Sequence, residues 1–158
     1  MIEIKDDLLE AEQYLYVLNY CQRAKFTWGE TDDYNLPPTG MVHEIDETEL
    51  IHQVFQSKTQ EIVPDLNLHR MYVNCFAPSE NPYFHIDWEA KGAVTFLYYP
   101  TEGWNYDDGG ETQFIVDDEI YGVTPVPNRL VYFDADIPHK ATSFRDRHRF
   151  TLAVKYIP

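Results

Sequence analysis

The sequence has few cysteines and no long apolar run, and each shortage excludes a class of protein. Its two cysteines, Cys21 and Cys75, show no C-x-x-C spacing, so neither a redox pair nor a zinc knuckle is expected. No apolar run approaches the roughly 20 residues of a membrane span, and the first residues lack the basic and apolar regions of a secretory signal. We therefore expect a cytoplasmic protein that does not associate with a membrane.

Basic residues are also scarce. There are 12 of them against 27 acidic residues, which gives a net charge of −15. Because such a surface repels a phosphate backbone, a nucleic-acid substrate is disfavoured. The 158 residues, 44% of them apolar, are sufficient for one packed core, and nothing in the composition divides the chain. We expect a single domain over residues 1–158.

The first part of the chain has helical periodicity. Asp7 is followed three positions later by Glu10, and Asp46 by Glu49, which is the pattern of a capping box, and an apolar stripe follows each pair. These signals predict helices over residues 7–23 and 47–58. The segment between them, 29–45, has no period and is long for a connection, so it is expected to be a lid or binding loop. Residues 1–67 would then form a helical support with a lid loop.

From Leu68 onward the pattern changes to short β-branched and aromatic runs separated by turn residues. The predicted strands are 68–76, 83–88, 93–100, 112–116, 119–124, 129–134, 139–144 and 148–156. Short strands at this spacing are typical of a sandwich or jelly roll. The expected fold is α+β and mainly β: a double-stranded β-helix (jelly roll, cupin-like) over 68–158, with the N-terminal helices packed on one sheet.

The tripeptide His85-Ile86-Asp87 carries two potential metal ligands on a predicted strand. Strand alternation directs residues i and i+2 to the same face, so both side chains point in one direction. His139, at the start of a later predicted strand, is well placed to supply a third ligand. Two histidines and one carboxylate form a facial triad, which leaves adjacent positions open on an octahedral iron for a bidentate co-substrate and dioxygen. Ordinary hydrogen bonding is the alternative for an isolated His-x-Asp.

A basic residue, Arg149, begins the last predicted strand. It shares a face with Thr151 and Ala153, while the opposite face of the strand is apolar. A guanidinium that points into a jelly roll requires an anionic partner, because an unpaired buried charge is strongly destabilising. A dicarboxylate would supply a bidentate partner. The alternative is a surface salt bridge, for which Arg145 and Arg147 are better placed.

Taken together, these motifs resemble the prolyl 4-hydroxylase branch of the 2-oxoglutarate oxygenases, in particular the catalytic domains of HIF-type prolyl hydroxylases and their bacterial and phage relatives. The resemblance covers about residues 68–156. It rests on His85-Ile-Asp87, Val94-Thr-Phe-Leu-Tyr-Tyr99, Gly109-Gly-Glu-Thr-Gln-Phe114, Asn128-Arg-Leu-Val-Tyr-Phe133, Pro138-His139 and Arg149.

The resemblance implies an Fe(II) site with 2-oxoglutarate and O2 as co-substrates. The metal ligands and catalytic residues it implies are His85, Asp87 and His139. Arg149 would pair with the distal carboxylate of 2-oxoglutarate, and Tyr99 would hydrogen-bond the same carboxylate. Leu97 and Thr151, which lie on the same strand faces as these two residues, would complete the co-substrate pocket.

The implied reaction is hydroxylation of an unactivated C–H bond, with release of succinate and CO2. A prolyl residue in a peptide or protein is the first candidate substrate, and dependence on ascorbate is common among similar enzymes. Two alternatives stay open, namely hydroxylation of a free amino acid or other small molecule, and a cupin-like metal-binding module without oxygenase activity. Lys155 and Phe76 stand where the HIF enzymes have Trp and Tyr, so substrate contacts and part of the co-substrate pocket are expected to differ.

Overall fold

The computed structural model describes residues 1–31 and 33–158, so Asp32, in the predicted lid loop, lies outside the described residues. The helices are α1 (Ala11–Arg23) and α2 (Leu50–Gln60). The strands are β1 (Ile2–Lys5), β2 (Thr27–Trp28), β3 (Met41–Glu44), β4 (Asn67–Phe76), β5 (Val94–Tyr99), β6 (Thr112–Val116), β7 (Glu119–Val123), β8 (Arg129–Asp134), β9 (His139–Ala141) and β10 (Arg149–Ile157).

The strands form two antiparallel sheets. The larger sheet has the order β1-β8-β5-β10-β4-β3-β2, and the smaller one has the order β7-β6-β9. Ala153, on the inner face of the central strand β10, belongs to a core that also contains Phe114 and Val123 of the smaller sheet. The fold is therefore α+β and mainly β, a double-stranded β-helix, as the sequence predicts.

Both helices pack against the outer face of the larger sheet. Val17 of α1 and Phe55 of α2 are fully buried in one core with Leu152 and Val154 of β10. The Phe55 ring meets the Tyr98 ring edge-on, with the centroids 5.0 Å apart. Each such side chain contributes about 1.5–3 kcal/mol by leaving water. No helix in the described part of the chain is long and apolar enough to cross a membrane.

The first helix begins later than predicted, because a tertiary contact replaces the expected capping box. Asp7 has a positive φ of 53°, and no side chain caps the helix, whose N-cap residue is Glu10. Instead, the Asn128 side chain accepts a hydrogen bond from the backbone N–H of Leu9 and donates one to the Leu9 carbonyl oxygen. The chain ahead of α1 is therefore held by a distant turn, which sequence-local signals do not reveal.

The predicted strand over 83–88 is wrong in its extent. Within it, only His85 forms a β-bridge, and its partner is His139. The predicted loop 29–45 is also wrong at its end, because β3 pairs there with β4 and buries Val42. The short strands β1, β2 and β3 were not predicted. They have four residues or fewer and lie toward the margins of the larger sheet. Pairing with a neighbouring strand can stabilise such segments even where the sequence shows no alternation of apolar and polar residues.

Candidate functional site

The structure brings His85, Asp87 and His139 together. One ligating atom from each residue lies within 4.8 Å of the others. Asp87 Oδ1 is 3.6 Å from His85 Nε2, and Asp87 Oδ2 is 3.6 Å from His139 Nε2. The two imidazole rings are 4.5 Å apart between centroids. This donor set suits a divalent metal of the 2-His-1-carboxylate type.

Backbone hydrogen bonds position the three side chains. The amide of His85 donates to the His139 carbonyl at 3.0 Å, and the His139 amide donates back to the His85 carbonyl at 2.9 Å. The Asp87 amide donates to the Ala135 carbonyl at 2.9 Å. These bonds hold the His85–Asp87 segment against the chain around His139. A short β-bridge therefore does the work of the full strand that was predicted over residues 83–88.

Both histidines are oriented so that Nε2 faces the triad. His139 Nδ1 donates to the Ile137 carbonyl at 2.9 Å, and His85 Nδ1 donates to the Tyr83 carbonyl at 3.1 Å. A carbonyl can only accept, so Nδ1 carries the proton and Nε2 retains the lone pair that binds a metal. Burial lowers the pKa of His139 to about 4, which keeps its imidazole neutral at neutral pH.

The carboxylate of Asp87 is held at both oxygens. Thr95 Oγ1 donates to Oδ2 at 2.6 Å, and Lys155 Nζ donates to Oδ1 at 2.7 Å. Burial by itself would raise the pKa of Asp87, but His139, Lys155 and His85 outweigh it and hold the pKa well below its usual range. The residue is therefore ionised and fixed in place, as a metal ligand needs to be.

Arg149 is a buried cation whose hydrogen-bond acceptors in the described part of the chain are all neutral. It is 1% exposed, and Nε donates to the Gly110 carbonyl at 2.7 Å. Its Nη1 and Nη2 donate to the hydroxyls of Thr151 at 2.6 Å and Thr112 at 2.9 Å. Among the described residues, no carboxylate lies within salt-bridge distance of it, and burial lowers its pKa. Such a charge calls for an anionic ligand.

The other residues predicted for the co-substrate pocket lie near Arg149. Thr151 and Leu97 line the same cavity as the triad. Tyr99 is fully buried, and its hydroxyl donates to Thr112 Oγ1 at 2.7 Å. The Thr112 hydroxyl therefore accepts from both Tyr99 and Arg149, which places Tyr99 beside the guanidinium group.

Three residues at the site were not predicted as site residues: Thr95, Thr112 and Lys155. A usable signal existed for two of them, because strand alternation puts Thr95 on the face of Tyr99 and Lys155 on the face of Arg149. Thr112 follows the Gly-Gly-Glu turn, and only the approach of β6 to β10 shows what its hydroxyl binds.

One cavity joins the triad to Arg149. Its volume is about 180 Å³, which suits a small organic acid. Its walls contain the following residues of the triad and of the arginine end: His85, Asp87, His139, Leu97, Thr112, Arg149 and Thr151. A metal and a dicarboxylate that chelates it can therefore occupy one continuous space.

Gly110 shapes the arginine end of this cavity, and we expect its replacement to be costly. It has a φ of +85°, and a Cβ atom there would collide with the Phe144 ring. The Gly110→Ala variant should lose about 2 kcal/mol of unfolding free energy in urea denaturation, because it adds backbone strain to a clash. Gly103→Ala is the matched control, since nothing lies within 4 Å of its Cβ position. Equal stability of the two variants would contradict this interpretation.

A jelly roll that places two histidines, a carboxylate and a buried arginine around one cavity defines a class, the non-haem iron oxygenases. The chain belongs to the 2OG-Fe(II) oxygenase superfamily, whose family model matches residues 66–156, more than half of its length. Membership implies a dioxygenase that uses Fe(II), 2-oxoglutarate and O2. No curated protein matches the sequence.

Solved structures of low sequence identity share the fold over 99% of this chain. A prolyl-4-hydroxylase from Pseudomonas putida is 19% identical, with a TM-score of 0.82 and 92% of its own chain covered. A Trichoplax adhaerens prolyl hydroxylase, in complex with a peptide fragment of the hypoxia inducible factor oxygen degradation domain, is 18% identical, with a TM-score of 0.82 and 83% covered. HygX from Streptomyces hygroscopicus, with nickel, 2-oxoglutarate and hygromycin B bound, is 10% identical, with a TM-score of 0.78 and 82% covered.

Proposed function

We propose that this protein hydroxylates a prolyl residue in a peptide or protein, with Fe(II) held by His85, Asp87 and His139 and 2-oxoglutarate held by Arg149. The observation that carries the co-substrate assignment is the buried guanidinium of Arg149, which shares a cavity with the triad and has no carboxylate partner among the described residues. A cupin-like module that only binds metal would have no use for this cation.

Each side chain has a defined task in the proposed site. The two imidazoles present Nε2 lone pairs, and the Asp87 carboxylate neutralises part of the charge of the metal. Bound iron, 2-oxoglutarate and dioxygen supply the oxidising chemistry, with succinate and CO2 as co-products. Arg149 orients the dicarboxylate, and the apolar wall at Leu97 excludes water from it.

An open groove beside the triad supports a peptide substrate. It is lined by Tyr34, Phe84, Ile86 and Trp88, together with His85 and Asp87 of the triad. Tyr34 is 91% exposed and Trp88 is 37% exposed, so aromatic faces are available to a ligand. Prolyl rings pack well on aromatic faces, and a peptide in an extended conformation fits into a groove. The Trichoplax prolyl hydroxylase was solved with a peptide fragment bound.

A small-molecule substrate is the second candidate, and the mouth of the cavity favours it. Glu30, Thr31 and Thr39 of the segment before β3 line the cavity together with the triad. Arg70 donates two hydrogen bonds of 2.8 and 2.6 Å to the Glu30 carboxylate, which holds Glu30 in the wall of the cavity. A cavity wall held in this way limits the room for a peptide chain, and HygX was solved with the small molecule hygromycin B bound.

The test is substrate-stimulated succinate formation by the iron-loaded enzyme, with and without ascorbate. We expect peptides that contain proline to stimulate succinate formation and to gain the mass of one oxygen atom, whereas matched peptides with alanine do neither. Stimulation by free amino acids alone would favour the second candidate. Ascorbate is expected to sustain turnover by keeping the iron reduced.

Trp88 offers a structural check on the peptide groove. We expect Trp88→Ala to raise the KM for an active peptide about tenfold, because one stacking face is lost, while its affinity for 2-oxoglutarate is unchanged. Trp28→Ala is the matched control, since Trp28 is 70% exposed and lies outside the groove. Equal KM values for both variants would argue against binding in this groove.

A further inference from the structure

Lys155 is a second cation at the site, partly buried, and the proposed function gives it no task. It lies on β10, on the same face as Arg149, and its side chain is 18% exposed. Its Nζ atom bonds Asp87 Oδ1 at 2.7 Å and lies 5.2 Å from the centroid of the Tyr72 ring. In the described part of the chain, Asp87 is its sole carboxylate partner.

Lys155 and Thr95 face each other across two neighbouring strands. They are register partners in the pairing of β10 with β5. Each binds a different oxygen of Asp87, with Thr95 on Oδ2 and Lys155 on Oδ1. Both oxygens of this ligand are thus engaged by the protein itself. The neutral hydroxyl can stay beside a metal-bound carboxylate at little cost, but the ammonium group repels a metal ion.

We propose that Lys155 is a resident counter-ion of the metal site, which stabilises Asp87 in the metal-free protein and competes with the metal for this carboxylate. This inference rests on the metal site of the proposed function. Because a buried carboxylate without a cation is strongly destabilising, the lysine stabilises the fold of the metal-free protein. The same charge opposes a dication that binds the same carboxylate, so the lysine also lowers metal affinity.

Among the described residues, the other cation that contacts Tyr72 is already paired with carboxylates. Arg70 stacks on the same Tyr72 ring, 4.2 Å from its centroid, but Glu30 and Glu44 neutralise it. Lys155 is therefore the cation that acts directly on the Asp87 carboxylate from the protein side. An apolar residue at this position would pack against the site without competing for it.

Mn(II) binding to the full-length protein is measured by titration, with the free Mn(II) concentration determined by electron paramagnetic resonance. The thermal unfolding temperature is measured with and without Mn(II). We expect Lys155→Met and Lys155→Gln to bind Mn(II) at least about tenfold more tightly than wild type. Their metal-free forms should unfold at lower temperature, and Mn(II) should raise the unfolding temperature by more than it does in wild type. Lys155→Arg, which keeps the charge, should stay within about threefold of wild type.

Two controls separate this inference from its alternatives. Lys91→Met removes an exposed lysine that has no ion pair among the described residues, so it reports the effect of net charge alone. His139→Ala removes a proposed ligand and establishes that Mn(II) binds at the triad. If neither folded neutral variant of Lys155 binds Mn(II) more tightly than Lys91→Met does, the counter-ion role is overturned while the metal site stands. If wild type binds no Mn(II) at the triad, both the counter-ion role and the proposed metal site are overturned.

Discussion

Replacing Arg149 with methionine is expected to weaken the binding of 2-oxoglutarate about a hundredfold or more. Removing one partner of a buried, hydrogen-bonded charge pair costs about 2–5 kcal/mol. Methionine fills a similar volume without donors, so a bound carboxylate would face an apolar surface. It would also leave the Thr112 and Thr151 hydroxyls without the bonds that Arg149 now donates.

The binding of 2-oxoglutarate is measured anaerobically, by titrating the Fe(II)-loaded protein and recording the visible charge-transfer absorption of the chelate. Arg149→Lys should give an intermediate loss, because it keeps the charge but not the planar fork that pairs with a carboxylate. Arg147→Met is the control, since Arg147 bonds Gly103 and Asp108 at the surface. If Arg149→Met retained wild-type affinity while folded, the co-substrate assignment would be wrong.

Replacing His139 with alanine is expected to abolish turnover and to weaken Fe(II) binding by at least about a hundredfold. Loss of a residue that only orients a ligand already costs about 10–100-fold in metal affinity, so loss of a ligand costs more. The two remaining donors, His85 and Asp87, cannot complete the facial arrangement that the metal requires. The loss should appear both as weaker metal binding and as absence of the charge-transfer band.

His139 also packs between the rings of Phe133 and Phe114, at 4.6 and 6.0 Å, so a folding defect has to be separated from loss of a ligand. Circular dichroism and the unfolding temperature of the metal-free variant report folding. His148→Ala is the matched control, because His148 is an exposed histidine outside the site. Tight Fe(II) binding by folded His139→Ala would remove His139 from the ligand set.

The sequence was most informative where local pattern and chemistry coincide. The strands over Thr112–Val116 and Arg129–Asp134 have the predicted bounds, because alternation of apolar residues continues to the turn at each end. The grouping of His85 with Asp87 followed from their spacing, and the face that Arg149 shares with Thr151 followed from strand alternation. These features depend on residues close in the chain, which is why the sequence sufficed.

The sequence was less informative where a distant partner determines the local structure. The start of α1 depends on Asn128, and the segment around His85 depends on carbonyl groups of His139 and Ala135. No local signal carries these pairings. The loop predicted over 29–45 ends in β3 for the same reason, since β4 supplies its hydrogen bonds.

The sequence alone indicated the type of fold and the candidate metal ligands, because hydrophobic period and ligand chemistry are properties of the residues and their order. Only the tertiary structure decided how these groups act together. It set the 3.6 Å spacings of the triad, the neutral surroundings of Arg149 and the contact of Lys155 with Asp87. The distances and charge pairs between residues remote in sequence depend on how the strands pair. They are therefore known only once the two sheets have formed.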